Sequence, residues 1–203
     1  MYADLTTLSC DALAIHDVVR NLGERVSGSD LAGTLRGAWT VENGTLAEVI
    51  MVRTFESLDD LYADHRRQHL STAPFGIERG IVQFSMQGHE LFDFCEPMDA
   101  GEHGSIYEIR TYELKVGTLG RTLGGWRAAL PQRAPHSPLA IGMMSMDGPP
   151  SITHIWPFSD GNQRLSVRSR LYADGLWPPR YGPESIQRGS SSIVLPTAFS
   201  PWR

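Results

Sequence analysis

The apolar positions along the chain change period several times, and each change marks an element. In residues 10–26 (CDALAIHDVVRNLGERV), Ala12, Ile15, Val19, Leu22 and Val26 recur at helical spacing. Ser9 is placed to cap that helix, with Asp11 in its first turn. Residues 33–41 (GTLRGAWTV) read as a strand, ENG at 42–44 as a tight turn, and the apolar run 47–55 (AEVIMVRTF) as the returning arm of a hairpin. Ser57 then caps a helix with Asp59 and Asp60 at its start and Leu58, Leu61, Tyr62, His65 and His69 as its inner stripe. Residues 81–94 carry further strand, with a break expected near Gln87 and Gly88. Cys95, in LFDFC, suits a small buried thiol on that strand.

After GEHG at 101–104 the order starts again. Residues 106–114 alternate as a strand. A helix follows over 118–130, with Leu119, Leu123, Trp126 and Leu130 along one side. Strands are predicted at 139–146 and 151–158 around the turn MDGPP, then a helix capped by Ser159 or Asp160 and running to about Ala173. A loop rich in Pro and Gly (GLWPPRYGPE) leads to a short strand at 192–195. At an offset of 103 residues VIMVRTF falls on ITHIWPF, and each ends in a Phe that steps into a helix. The chain therefore reads as a duplicated β-α-β-β-α-β unit, divided as 1–100 and 105–203. One such unit leaves a sheet face bare, and a second copy can cover it.

Composition narrows the function classes. The 203 residues carry 18 Lys and Arg against 23 Asp and Glu, a net charge of −5. That argues against a general nucleic-acid binder, which needs a basic face to displace counterions. No apolar run approaches the length of a bilayer span, and the acidic start does not resemble a secretory signal, so a cytoplasmic protein without a membrane partner is expected. Cys10 and Cys95 form no spaced framework, consistent with reduced thiols.

Ile106-Tyr107-Glu108-Ile109-Arg110-Thr111-Tyr112 followed by Lys115-Val116-Gly117 resembles the opening strand of the NIPSNAP family. So do His154-Ile155-Trp156-Pro157-Phe158, Arg164 and Arg168 on the next helix, and Trp177 beyond it. The match covers about residues 105–200, and the first half resembles the family in architecture alone. The resemblance implies an α+β fold in which two tandem ferredoxin-like units pack sheet to sheet as a dimeric α/β-barrel, closed within one chain, with homo-oligomers still allowed. It implies a ligand cavity between sheet and helices. The superfamily also holds cofactor-independent monooxygenases, haem-degrading enzymes, polyketide cyclases and small-aromatic isomerases, so fold alone does not give activity.

Candidate chemistry concentrates in the second half. Glu108, Arg110 and Tyr112 alternate and so share one strand face. They form either an internal ion pair or the floor of a site in which Arg110 holds an anion and Glu108 accepts a proton. His154 and Trp156 also share a face, as an acid-base group beside a stacking indole or as a packed core pair; the overlay puts Met51 and Arg53 at their positions in the first half. Arg164 and Arg168, one helical turn apart, call for a nearby carboxylate such as Glu108. Gly117, Gly120, Gly124 and Gly125 match no phosphate-loop spacing but favour a cavity near Trp126. His65 and His69 have metal-compatible spacing, yet HRRQH lacks the Glu of a zinc-protease helix and no third ligand is evident; no metal or cofactor is expected. No serine lies in a nucleophile-elbow context. The leading expectation is a small anionic or aromatic ligand in the second half. Two alternatives stand beside it: a cofactor-independent monooxygenase or cyclase/isomerase with His154 or Glu108 as base, and a scaffold with a closed barrel.

Overall fold

A computed structural model of the chain describes residues 1–28 and 31–203. Among the described residues, eight strands and four α-helices follow the order β-α-β-β-α-β twice. The first half comprises β1 (Tyr2–Cys10), α1 (Ile15–Ser27), β2 (Thr34–Asn43), β3 (Glu48–Phe55), α2 (Leu58–Leu70) and β4 (Ile81–Leu91). The second comprises β5 (Ile106–Leu114), α3 (Leu119–Arg133), β6 (Ile141–Ser145), β7 (Ser151–Phe158), α4 (Gly161–Ala173) and β8 (Ile186–Pro196). All pairings are antiparallel and close into one barrel in the order β1-β3-β2-β8-β5-β7-β6-β4. The halves join twice: β2 on β8, from Trp39 opposite Pro196 to Asn43 opposite Ile193, and β4 on β6, from His89 opposite Ser145 to Leu91 opposite Met143.

The strand period of two decides what each residue faces. Ala3, Leu5, Trp39, Ile50 and Val52 of the first half meet Tyr107, Ile109, Ile141, Ile155 and Val194 of the second inside the barrel. Trp39 lies 5.4 Å from the Tyr107 ring and 6.1 Å from Trp202, so the interior core belongs to both halves. The alternate residues face outward, under the helices, in two separate clusters, one over each half, with Phe92 joining the second and Phe199 packing on the first. β3 and β7 are covered on both faces, which is why EVIMVRTF and SITHIWPF are buried nearly end to end. Pro157 is accommodated because β6 pairs with β7 only as far as Ile155, leaving no neighbour on that side to require its missing N–H.

Helix starts follow their caps. Ser57 Oγ accepts the amide of Asp60, and Asp160 accepts the amides of Asn162 and Gln163. Several expectations need correction. Residues 2–10 are a central strand, so Ser9 caps nothing, and α1 begins at Ile15 after Ala14. β4 runs unbroken through Gly88, and Cys95 lies beyond it outside any strand. The buried stripe of α2 is Leu61, Asp64 and Gln68, while Tyr62 and His69 are exposed. β8 is eleven residues long because its polar stretch, Arg188 to Ser191, pairs through its backbone with β5. α3 passes through Pro131 and ends at Arg133, a turn later than expected.

Candidate functional site

The outer face of β5 and β7, beneath α3 and α4, gathers every candidate residue of the second half. Register does the first part: Glu108 lies opposite Trp156, Arg110 opposite His154, and Tyr112 opposite Ile152. Helix α4 adds Arg164 and Arg168, α3 adds Trp126 and Arg133, and the loop after α4 adds Trp177.

Glu108 is the centre of a charge cluster. Its Oε1 accepts from Arg110 Nη2 at 2.8 Å, from Ser191 Oγ at 3.0 Å and from Arg164 Nη2. Its Oε2 lies 3.7 Å from Arg168 Nη1. Burial alone would raise the carboxyl pKa, but the hydrogen bonds from Arg164 and Arg110 outweigh it and hold the group below its ordinary value. The expected pairing of Arg164 and Arg168 with Glu108 is thus present, and one carboxylate serves three guanidinium groups. Those arginine side chains keep 15%, 21% and 27% of their surface for Arg110, Arg164 and Arg168, so the cluster is partly open to water.

A fourth arginine adds charge without an acid. Arg133 is only 4% exposed, and its guanidinium carbon lies 3.7 Å from the centre of the Trp156 ring and 4.3 Å from that of Trp177. Burial, then repulsion from Arg168, pushes its pKa down to about 9, with Glu108 pulling the other way. It therefore stays cationic at neutral pH. The sequence conceals this residue behind Pro131, where a helix is expected to end. The available signal is spacing: Arg133 follows Trp126 by two helical turns and so shares its buried side.

His154 is buried among aromatic rings, 4.9 Å from Tyr112 and 4.7 Å from Trp126. Its Nδ1 accepts the indole N–H of Trp156 at 2.6 Å. Burial first, then the charges of Arg110, Arg133 and Arg168, hold its pKa well below the usual imidazole value, so the ring is neutral. A neutral ring that accepts at Nδ1 carries its proton on Nε2. That Nε2 is buried and has no partner among the described residues.

A cavity of about 140 Å³ adjoins the cluster, lined chiefly by Tyr112, Trp126, Ile152, Trp177 and prolines of the following loop. The Tyr112 hydroxyl receives a 2.8 Å hydrogen bond from Arg110 Nη1, linking cavity wall to charge cluster. The loop sits hard against α3 at Gly125, where a Cβ would overlap the carbonyl oxygen of Arg180; Gly120 and Gly124 face open space instead. Glycine in α3 thus serves one close backbone approach rather than a phosphate loop.

The matching face of the first half pairs its charges internally, with an open cleft of about 450 Å³ lined by Thr54, Phe55, Asp60, Asp64 and Arg67 beside it. Arg53 donates to Asp4 Oδ2 and Asp64 Oδ2, both at 2.7 Å, and all three side chains are essentially buried. His65 Nε2 lies 2.8 Å from Asp4 Oδ1, and His69 Nδ1 lies 2.8 Å from the His65 carbonyl, so the two imidazoles turn to different partners. Among the described residues, no group of three His, Cys, Asp or Glu side chains is arranged to hold a metal ion.

A closed antiparallel barrel wrapped by two helix pairs is the dimeric α/β-barrel architecture. A Lactobacillus acidophilus protein named as a candidate monooxygenase shares this fold with TM-score 0.68 and 8% identity over 97% of this chain and 94% of its own. An anthrone oxidase-like protein shares it with TM-score 0.66 and 9% identity over 96% and 90%. Within that class the sequence is more specific: the NIPSNAP family profile matches residues 107–201, so the second half carries a NIPSNAP domain. A NipSnap homolog of Dictyostelium discoideum is 27% identical over 176 residues, 86% of this chain and 77% of its own length. That alignment is longer than either half, so it extends into the first half. NipSnap homolog 1 of Danio rerio is 27% identical over 144 residues, 67% of this chain, and this chain spans about half (51%) of that relative.

Proposed function

We propose that the second half binds a small aromatic or anionic molecule in the cavity between β5, β7, α3 and the loop after α4. The observation that carries this reading is the mainly apolar cavity in which one of the few polar wall residues, Tyr112, is tethered to an arginine cluster. Small-molecule sites take this form, an apolar enclosure with a few placed polar groups. A single six-membered ring is the fitting size, since an apolar cavity of about 150 Å³ takes up benzene. A scaffold needs the ion network but has no use for a cavity beside it.

A second reading, cofactor-independent catalysis, draws on the arginines. Fixed cations beside a water-poor cavity stabilise an oxyanion that develops in a bound substrate. The fold is shared with the monooxygenase-named and anthrone oxidase-like proteins, which supports the architecture for such chemistry and not the activity itself. In this reading Glu108 and His154 are poor bases: Glu108 is held ionised by its arginines, and the free lone pair of His154 is occupied by Trp156. Arg110 would hold the anion, and the base would come from the substrate or from solvent.

The test is a panel of single-ring aromatics, acidic and neutral, followed by thermal shift and indole fluorescence. At least one compound is expected to raise the melting temperature and change the tryptophan signal. Arg110→Ala, which frees the Tyr112 ring, should abolish the response, while Arg20→Ala on the distant helix α1 should keep it. A panel without any response, or a response that survives Arg110→Ala, overturns the reading.

A further inference from the structure

The charge count of the second half does not close. Glu108 is saturated by Arg110, Arg164 and Arg168. Arg133 makes no hydrogen bond and no ion pair among the described residues, and its Nε is buried without a partner. It is held by two indole faces, and the charges that act on it from other elements are Arg168 on α4, Arg110 and Glu108 on β5, and the Tyr112 phenol. A nearly fully buried cation is ordinarily paired with an acid. The second unpaired donor lies against the same indole: His154 gives its Nδ1 to Trp156 and keeps its Nε2–H, 2% exposed as a residue, unmatched. Buried donors without acceptors are rare in folded proteins and ask for an explanation.

We propose that Arg133 and the Nε2–H of His154 form a buried carboxylate-binding position, and that the ligand of the adjoining cavity is a single-ring aromatic acid. This deepens the small-molecule reading above and rests on it. A guanidinium fork offers two parallel N–H groups to a carboxylate, and the imidazole N–H supplies a third donor. The ring of the same ligand fills the cavity, whose volume of about 140 Å³ suits one six-membered ring. Trp177 is the shared wall, since its indole lines the cavity on one side and stacks on Arg133 at 4.3 Å. Movement of that indole joins ring space to charge, and the carboxylate then supplies the acceptor that the protein leaves out.

Benzoate, benzamide and acetate at pH 7 separate the components, with isothermal titration as the readout and indole fluorescence as a check. Benzoate is expected to bind at least tenfold more tightly than benzamide, and acetate weakly. Arg133→Met should bring benzoate down to the benzamide level, leave benzamide unchanged, and leave the ligand-free melting temperature equal or higher. A merely structural Arg133 predicts the reverse: a lower melting temperature and undiminished preference for benzoate. Where Arg133→Met does not fold, Arg133→Lys keeps the charge without the fork and should lose about tenfold for benzoate alone; wild-type affinity in that variant overturns the proposal. Benzamide binding as tightly as benzoate overturns the carboxylate position but leaves the small-molecule reading standing. Binding of none of these rings overturns both.

Discussion

The two halves place the same elements over the same barrel and use the outer face in opposite ways. Asp4 is the third residue of β1 and Glu108 the third of β5. Arg53 and Trp156 are each the sixth residue of eight-residue strands, and His65 and Arg168 each the eighth of thirteen-residue helices. In both halves the first-strand carboxylate meets the side chain at that helix position, His65 at 2.8 Å from Asp4 and Arg168 at 3.7 Å from Glu108. The difference lies in what fills the centre. In the first half Arg53 occupies it and is clasped by Asp4 and Asp64. In the second, Trp156 takes that position, the cations move to the rim, and a cavity opens beside them. The first half pairs its buried guanidinium with two carboxylates, and the second leaves Arg133 without one.

The largest effect is expected where the charge network of the first half is broken. Arg53→Met leaves Asp4 and Asp64 buried without their shared cation. Removing one member of a buried charge network costs about 3–5 kcal/mol, which urea denaturation will read as a lowered midpoint. Glu108→Gln in the second half should cost less, about 2–3 kcal/mol, because its arginines reach water and can recruit anions. Added sulfate should restore much of the loss for Glu108→Gln and little for Arg53→Met. Equal losses, or equal rescue, would erase the distinction between the halves.

A smaller effect concerns pH. His154 and His89 are held below the ordinary imidazole pKa, in each case mainly by burial. Both are neutral in the fold, while in the unfolded chain each takes up a proton near pH 6.5. The unfolded state thus binds more protons as pH drops, so stability falls below about pH 6.5 and continues to fall until the folded-state pKa is reached. Each group contributes at most about 1.4 kcal/mol per pH unit. The His154 ring resonances should keep neutral-imidazole shifts well below pH 6.5, and a midpoint near 6.5 would contradict its buried environment.

Much of this contrast is readable in the sequence. The overlay of VIMVRTF on ITHIWPF places Arg53 against Trp156, and the alternation of Glu108, Arg110 and Tyr112 puts them on one face, because strand periodicity and helix caps are local signals. β1 escapes notice because its outward side carries Asp4, buried through partners far along the chain, and Thr6, which donates to Asp4. Asp64 and Gln68 of α2 are likewise buried polar residues whose partners, Arg53 and the amide of Phe75, lie outside the helix. Arg133 escapes because a proline precedes it, although the last turn of a helix tolerates the loss of one amide when packing holds it. The exposed polar half of β8 is a strand by backbone pairing alone, with no apolar alternation to announce it. What sequence pattern misses here is polar pairing between elements, and it is this pairing that separates the first-half face from the face proposed to bind a ligand.

The most direct test of that separation is a crystal structure of the protein grown with 4-bromobenzoate, with anomalous scattering used to locate the bromine. One bromine peak per chain is expected between Tyr112, Trp126 and Trp177, with the carboxylate toward Arg133 and no peak over Arg53. A bromine site on the first-half face with the second-half cavity empty would contradict the account.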